Sequence, residues 1–332
     1  MSRPEFTARM LVGVVILAAV AVPLVLWSRT PLVHARMVEA GGWSPDTLKA
    51  AVGVPLHLRI TSDDVVHGFA VGKLNTPAVD ILPGKVSDIT LLFQSAGTYT
   101  FYCTRWCGLN HWRMRGTIEV AGEPPAETSG GDSDRPLYAS LGIDLDAPRS
   151  APVIPAEKPL VAAAGDEFKD ELARYLPVDY YRSHSPYDAW QELSADPAFS
   201  ALDAPELWRL TAYIWRSNTT AKALAEGEQL FASNCAACHG AGGAGDGVFA
   251  EDLAAAGEAS SQSMMGDTTM AMQLPARLTD PRRMLAASPA LLQGKILRGG
   301  MGTGMPSWGP IFTEEQTWNL VAYAYSFHFQ YH

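Results

Sequence analysis

The chain holds four cysteines, in two close pairs: Cys103 with Cys107, and Cys235 with Cys238. Close pairs favour metal or cofactor chemistry over a framework of distant disulfides. Around the first pair runs Cys103-Thr-Arg-Trp-Cys107-Gly-Leu-Asn-His111-Trp-Arg-Met114, with His67 upstream. Two thiolates, two imidazoles and a thioether are soft and borderline donors that suit copper, whereas zinc rarely recruits a methionine. A mononuclear blue-copper centre takes one Cys, two His and a weak axial Met, which leaves one thiolate over. Two cysteines bridging two copper ions use both, with one histidine on each metal and Met114 as a weak ligand on one. The second pair reads Cys235-Ala-Ala-Cys238-His239. In that pattern two thiols add to porphyrin vinyls and the adjacent imidazole becomes the proximal iron ligand.

These residues need elements to position them. Val54, Leu56, Leu58 and Ile60 alternate with Pro55, His57, Arg59 and Thr61, the period of a half-buried strand. Further runs at 89–93 and 98–102 follow the turn signals Pro83-Gly84 and Ala96-Gly97, which together predict a β-sandwich. Trp43 is expected in its core. Trp106 and Trp112 flank the ligands, either shaping an electron-input surface or packing. His57 points outward and His34 comes too early in the chain, so neither is read as a ligand.

Residues 123–165 are rich in Pro, Ala, Gly and Ser and read as a flexible linker. Over residues 166–222, Glu206 to Trp215 has helical spacing, and the Trp…Ala-Tyr pattern of Trp208, Ala212 and Tyr213 recurs at Trp318, Ala322 and Tyr323. That suggests an internal repeat whose first copy lacks Cys-x-x-Cys-His; two amphipathic helices of similar composition are the alternative. His184 is expected at the surface.

The copper cluster resembles the binuclear CuA centre of cytochrome c oxidase subunit II over most of residues 45–122. Asp63-Asp-Val-Val-His67-Gly-Phe and Cys107-Gly-Leu-Asn-His111 are similar to the type B oxidases, whose subunit II also has a single span. The resemblance implies His67, Cys103, Cys107, His111, Met114 and the backbone carbonyl of Arg105 as ligands. In type A oxidases the position of Arg105 usually carries Glu, which also reaches a magnesium ion at the boundary with subunit I. Arginine has donors only, so the resemblance does not extend to that site.

Residues 223–328 resemble a class I cytochrome c. This implies one covalent haem c on Cys235 and Cys238, with His239 and Met305 as axial ligands and Met301 as the rival to Met305. Met/His ligation raises the reduction potential. By the same resemblance the carbonyl of Pro275 orients His239; His328 and His332, by position, are expected at a frayed end, as ligands only if Met305 is displaced.

Residues 10–27 are uncharged, with Arg3 and Arg9 before them and Arg29 after, which predicts a transmembrane anchor with a cytoplasmic amino terminus. A cleaved signal peptide is the rival, although its apolar region is usually shorter. The expected architecture is multidomain: a transmembrane anchor (1–30), an all-β cupredoxin sandwich with CuA (31–122), a flexible linker (123–165), a helical haem-less cytochrome-c-like segment (166–222) and an all-α cytochrome c domain (223–332). The protein is expected in the cell membrane, single-pass, with both cofactor domains on the periplasmic, extracytoplasmic side.

Residues 1–122 carry 11 Lys+Arg against 8 Asp+Glu, net +3, and residues 123–332 carry 14 against 27, net −13. Nucleic acid is thus not expected as a partner. No Ser-His-Asp set, phosphate-cradling glycine loop or paired catalytic carboxylates occur, so catalytic residues are expected elsewhere. The resemblances imply the electron-input subunit of a haem-copper terminal oxidase. A soluble donor, such as a cytochrome c or a small copper protein, passes electrons through haem c and CuA to a membrane-embedded subunit I, where dioxygen becomes water. The alternative is the CuA-containing subunit of a nitric oxide reductase.

Overall fold

The computed structural model describes residues 10, 12, 30–74, 76–108, 111–122, 135–159, 167–252, 274–300 and 305–331. The chain divides into two compact units, Met1–Glu127 and Thr128–His332. The predicted span lies outside the described residues except for Met10 and Val12. Among the described residues, no helix is long and apolar enough to cross a membrane.

The first unit is a two-sheet sandwich. Its strands are β1 (Leu32–Ala35), β2 (Trp43–Ser44), β3 (Thr47–Ala51), β4 (Leu56–Ser62), β5 (His67–Val71), β6 (Val79–Ile81), β7 (Val86–Leu91), β8 (Gly97–Tyr102) and β9 (Arg115–Ala121). One sheet has the order β2-β1-β4-β7 and the other β3-β9-β8-β5-β6. The alternation predicted for β4 is seen: Leu58 and Ile60 are buried and His57 is exposed. Leu58, Ile60, Phe69, Phe101 and Ile118 share one core, with Trp43 lying edge-on to Phe69 and Phe101. Gly116 of β9 is required there, because a Cβ would lie 2.1 Å from the Phe101 ring.

The second unit is helical: α1 (Leu137–Ser140), α2 (Val178–Ser183), α3 (Pro186–Ala195), α4 (Ala204–Ser217), α5 (Ala221–Asn234), α6 (Ala236–His239), α7 (Pro281–Met284), α8 (Pro289–Arg298) and α9 (Glu314–Tyr325). The helices start where side-chain caps satisfy free amides: Ser185, Asp203, Thr220, Ser288 and Thr313 each accept from the first turn. Helices α5 and α9 cross closely at Gly227, where a Cβ would stand 2.2 Å from the backbone oxygen of Asn319. Asn319 Nδ2 also donates to Glu226 Oε2 at 2.9 Å.

Three expectations change here. Residues 135–159, read by composition as part of a flexible linker, pack against the helices: Leu145 joins Ala287 and Leu291, with Tyr138 and Ile143 beside them. The Arg298 guanidinium grips Asp146 through two bonds of 2.7 and 2.6 Å, and Ala151 N donates to Arg282 O at 2.8 Å. Next, residues 166–222 do not stand apart from the final segment, because Leu172, Tyr181, Trp208 and Trp215 form one core with Leu285, Val321, Tyr325 and Phe329. Helices α4 and α9 open with a capping box, as α3 does, and Trp215 and Tyr325, each twelve residues past its cap, meet at 5.8 Å. Finally, His328 is not frayed. It is buried, with Nε2 2.6 Å from Leu278 O, a bond that its place near the chain's end did not suggest.

Candidate functional site

His67 opens β5, and Cys103 follows β8 immediately. The antiparallel pairing of Ala70 with Tyr102 therefore brings the two ligand positions to one end of the sheet. Close approach there needs Gly68, since a Cβ would meet Thr104 Oγ1 at 2.0 Å. Its amide instead lies 3.5 Å from Cys103 Sγ. Cys103 Sγ stands 3.8 Å from Cys107 Sγ, 3.8 Å from His67 Nδ1 and 3.1 Å from the Arg105 carbonyl, while Cys107 Sγ stands 3.8 Å from Met114 Sδ. One ligand atom from each of His67, Cys103 and Cys107 falls within a 4.8 Å group.

His111 completes the set in a telling way. Its Nδ1 is buried and has no hydrogen-bond partner. An unsatisfied buried nitrogen is costly unless something else takes its lone pair. With His67, two sulfurs, a thioether and a carbonyl clustered, and His111 on the same loop though outside the 4.8 Å group, a copper pair fits the donors present. Trp106 lies over His111 at 4.6 Å and Trp112 follows at 6.2 Å. Trp43 belongs to the core, as expected, and its Nε1 donates to Met114 O at 3.0 Å.

Electrostatics favour thiolate at one cysteine of the pair. Hydrogen bonding from Cys107, with help from His67 and the Gly68 amide, outweighs burial and holds Cys103 down to about 3. The same sharing, together with burial, pushes the Cys107 thiol up. Burial opposes charge on His67, yet Cys103 and Asp64 raise it above the ordinary value. Asp64 was not singled out in the sequence. Its Oδ1 lies 2.7 Å from His67 Nε2, which leaves Nδ1 facing the sulfurs. Arg105 turns its side chain outward to a two-bond pair with Asp80, at 2.7 and 2.8 Å, so only its carbonyl faces the site.

The second centre sits at the end of α5. Cys235, Cys238 and His239 occupy one helical turn, with His239 N donating to Cys235 O at 2.9 Å. A spacing of three places both thiols on one face. Burial pushes Cys235 up to about 12 and raises Cys238. The chain then folds back over this turn: Gly245 N donates to His239 O at 2.8 Å and Gly247 N to Cys238 O at 3.2 Å. Gly247 must lack a side chain, because a Cβ would lie 2.3 Å from Ala237 O.

His239 Nδ1 stands 2.9 Å from the carbonyl of Ala276. The orienting carbonyl is thus Ala276 and not Pro275, one residue along a loop in which every residue carries the same group. Burial lowers the His239 pKa and favours the neutral imidazole that a metal ligand requires. With Nδ1 engaged, Nε2 is the nitrogen left for iron, so these residues fit a covalent haem. Met305 is fixed through its backbone, its carbonyl accepting from Gly300 N at 3.1 Å. The rival Met301 lies outside the described residues, as does His332. His34 and His57 are engaged away from both centres, with Asp63 and Thr90 respectively. His184 is half-buried, stacked on Tyr180 at 4.1 Å.

Residues 44–121 match the family described as Cytochrome C oxidase subunit II, periplasmic domain, and residues 222–323 match Cytochrome C oxidase, cbb3-type, subunit III. Cytochrome c oxidase subunit 2 of Thermus thermophilus is 41% identical over 81 residues, 24% of this chain and 59% of that protein. The Arabidopsis thaliana protein of the same name is 38% identical over 74 residues, 22% of this chain and 28% of that one. The chain therefore spans little more than half of the first of these relatives. A chain of a heme-copper terminal oxidase dimer solved by cryo-EM aligns at 23% identity with a TM-score of 0.24, over 36% of this chain and 100% of that one. Both resemblances drawn from the motifs are borne out by the family matches.

Proposed function

We propose that the chain is the electron-input subunit of a haem-copper terminal oxidase, anchored in the cell membrane with both cofactor domains on the extracytoplasmic side. One observation carries the reading: a single chain holds a cysteine-histidine-methionine cluster with an orphaned His111 nitrogen and a Cys-x-x-Cys-His turn with His239 already oriented. A binuclear copper pair (CuA) and one haem c, bound there, supply one-electron transfer between a soluble donor and the catalytic subunit I, which reduces dioxygen to water.

The residues prepare these groups. Cys103 and Cys107 lie close enough to bridge two ions; Cys103 is the thiol held low, and Cys107, held high, gives up its proton on metal binding. Asp64 fixes the tautomer of His67, and the Ala276 carbonyl fixes that of His239. Arg105 contributes its carbonyl, while its charge is paired with Asp80.

Turnover of the intact, detergent-purified complex tests the proposal, with a chemical reductant and with dioxygen and nitric oxide offered separately. Rapid dioxygen consumption is expected. Negligible dioxygen use with fast nitric oxide loss would assign the chain to a nitric oxide reductase instead.

A further inference from the structure

The segment from Leu32 to Met37 is tied to the loop before His67 by a succession of bonds. Strand β1 runs parallel to β4, with Ala35 opposite Ser62, and Asp63 N donates to Ala35 O at 3.1 Å. His34 Nδ1 then meets both Asp63 carboxylate oxygens, at 2.9 and 3.1 Å, and Arg36 Nη2 reaches Oδ2 at 2.7 Å. One step further, Met37 N donates to Asp64 Oδ2 at 2.7 Å. The other oxygen of Asp64 accepts from Val65 N at 2.6 Å and faces His67 Nε2 at 2.7 Å.

The two amides on Asp64 are not equivalent. Val65 is the next residue and moves with the loop, whereas Met37 is 27 residues away and lies two residues past β1, the strand that β4 and Asp63 hold. The terminal torsion of an aspartate is broad and weakly restrained on its own. The Met37 amide is the hold on Oδ2 that does not travel with the loop. The Met37 side chain also closes on the copper loop, since a Cβ at Gly108 would lie 3.4 Å from its sulfur.

We propose that Met37 is a positioning residue for the copper centre: its main-chain amide aims Asp64, and Asp64 aims His67. Asp63, gripped by His34 and Arg36, keeps that strand in place. The inference rests on the copper reading of the site, and it identifies a group invisible to any motif, because it is a backbone N–H.

Met37 has φ −52° and ψ 151°, close to what proline adopts. Met37→Pro therefore deletes the amide with little backbone strain, and Met37→Ala keeps the amide while removing the side chain from Gly108. Both are compared with the unaltered full-length, copper- and haem-loaded protein by electron paramagnetic resonance and by the rate of copper loss to a chelator. Met37→Pro is expected to displace the copper hyperfine pattern and lose copper about tenfold faster, the usual scale for removing support from a metal-ligating histidine. Met37→Ala is expected to behave as the unaltered protein. Identical behaviour of the two variants, or an unchanged signal in Met37→Pro, overturns the proposal. If Met37→Pro does not fold, Asp63→Ala, which keeps every amide and frees the strand from His34 and Arg36, takes its place. Faster copper loss in that variant supports the proposal and unchanged retention overturns it. Absence of a binuclear copper signal in the unaltered protein would sink the copper reading itself, a separate outcome.

Discussion

Asp63 and Asp64 are neighbours with different tasks, one holding a strand and the other a ligand, and nothing in their shared residue type separates them. The proposed ligands were legible, because sulfur and imidazole at fixed spacing are chemically uncommon. Their supports were not, because the Arg105 and Ala276 carbonyls and the Met37 amide are groups that almost every residue owns. Cys107→Ser should abolish the copper signal in electron paramagnetic resonance and leave the haem absorption intact, since the two centres draw on separate residues. A retained copper signal would contradict the bridging role of Cys107. The His34 hydrogen bond, with Arg36 beside it, holds Asp63 below the ordinary carboxylate value. A depressed carboxyl contributes stability above the unfolded value of about 3.9, and that contribution is lost as pH falls through the folded value. Asp63→Asn should accordingly melt earlier than the unaltered copper-free protein at pH 6, with the gap closing below about pH 4. A gap that persists undiminished at pH 3 would contradict this.

At the scale of elements, strands and helices were read from periodicity, and the sandwich and the terminal helices emerged where that period predicted them. Composition misjudged residues 135–159. Their few apolar side chains cannot make a core of their own, but Tyr138, Ile143 and Leu145 need only cover α8, a surface that other residues have built. The boundary at 222 failed for a related reason: helical spacing marks a buried face without saying which partner buries it, and here Trp215 packs on Tyr325. The crossing of α5 with α9 makes the sharpest prediction. At Gly227 the obstacle to a side chain is the backbone of Asn319, which cannot rotate away. Gly227→Val should cost at least the ~1–3 kcal/mol typical of overpacking. The measurement is thermal melting of the haem-loaded protein, and an unshifted midpoint would mean that the helices cross less tightly than described.

For the whole molecule, the two regions differ in charge as well as in fold, with the surplus of acid confined to residues 123–332. Complementary charge raises encounter rates, and salt screens it with a Debye length of about 10 Å at 0.1 M. Reduction of haem c by a basic soluble donor should therefore slow as ionic strength rises, followed by stopped-flow absorption. A rate independent of salt would remove charge as the guide.

Cys103 and Cys107 carry a liability along with their chemistry. Two reduced sulfurs 3.8 Å apart need little movement to bond to one another. Outside the cytoplasm, where the proposed topology places them, oxidants favour that bond. A disulfide would spend both thiolates and leave copper with two imidazoles, a thioether and a carbonyl. Maturation thus becomes a contest of timing, in which copper must arrive while the pair is reduced, or a reductant must reopen it. Metal-free protein handled in air should accordingly lose its capacity to take up copper, and recover it with a thiol.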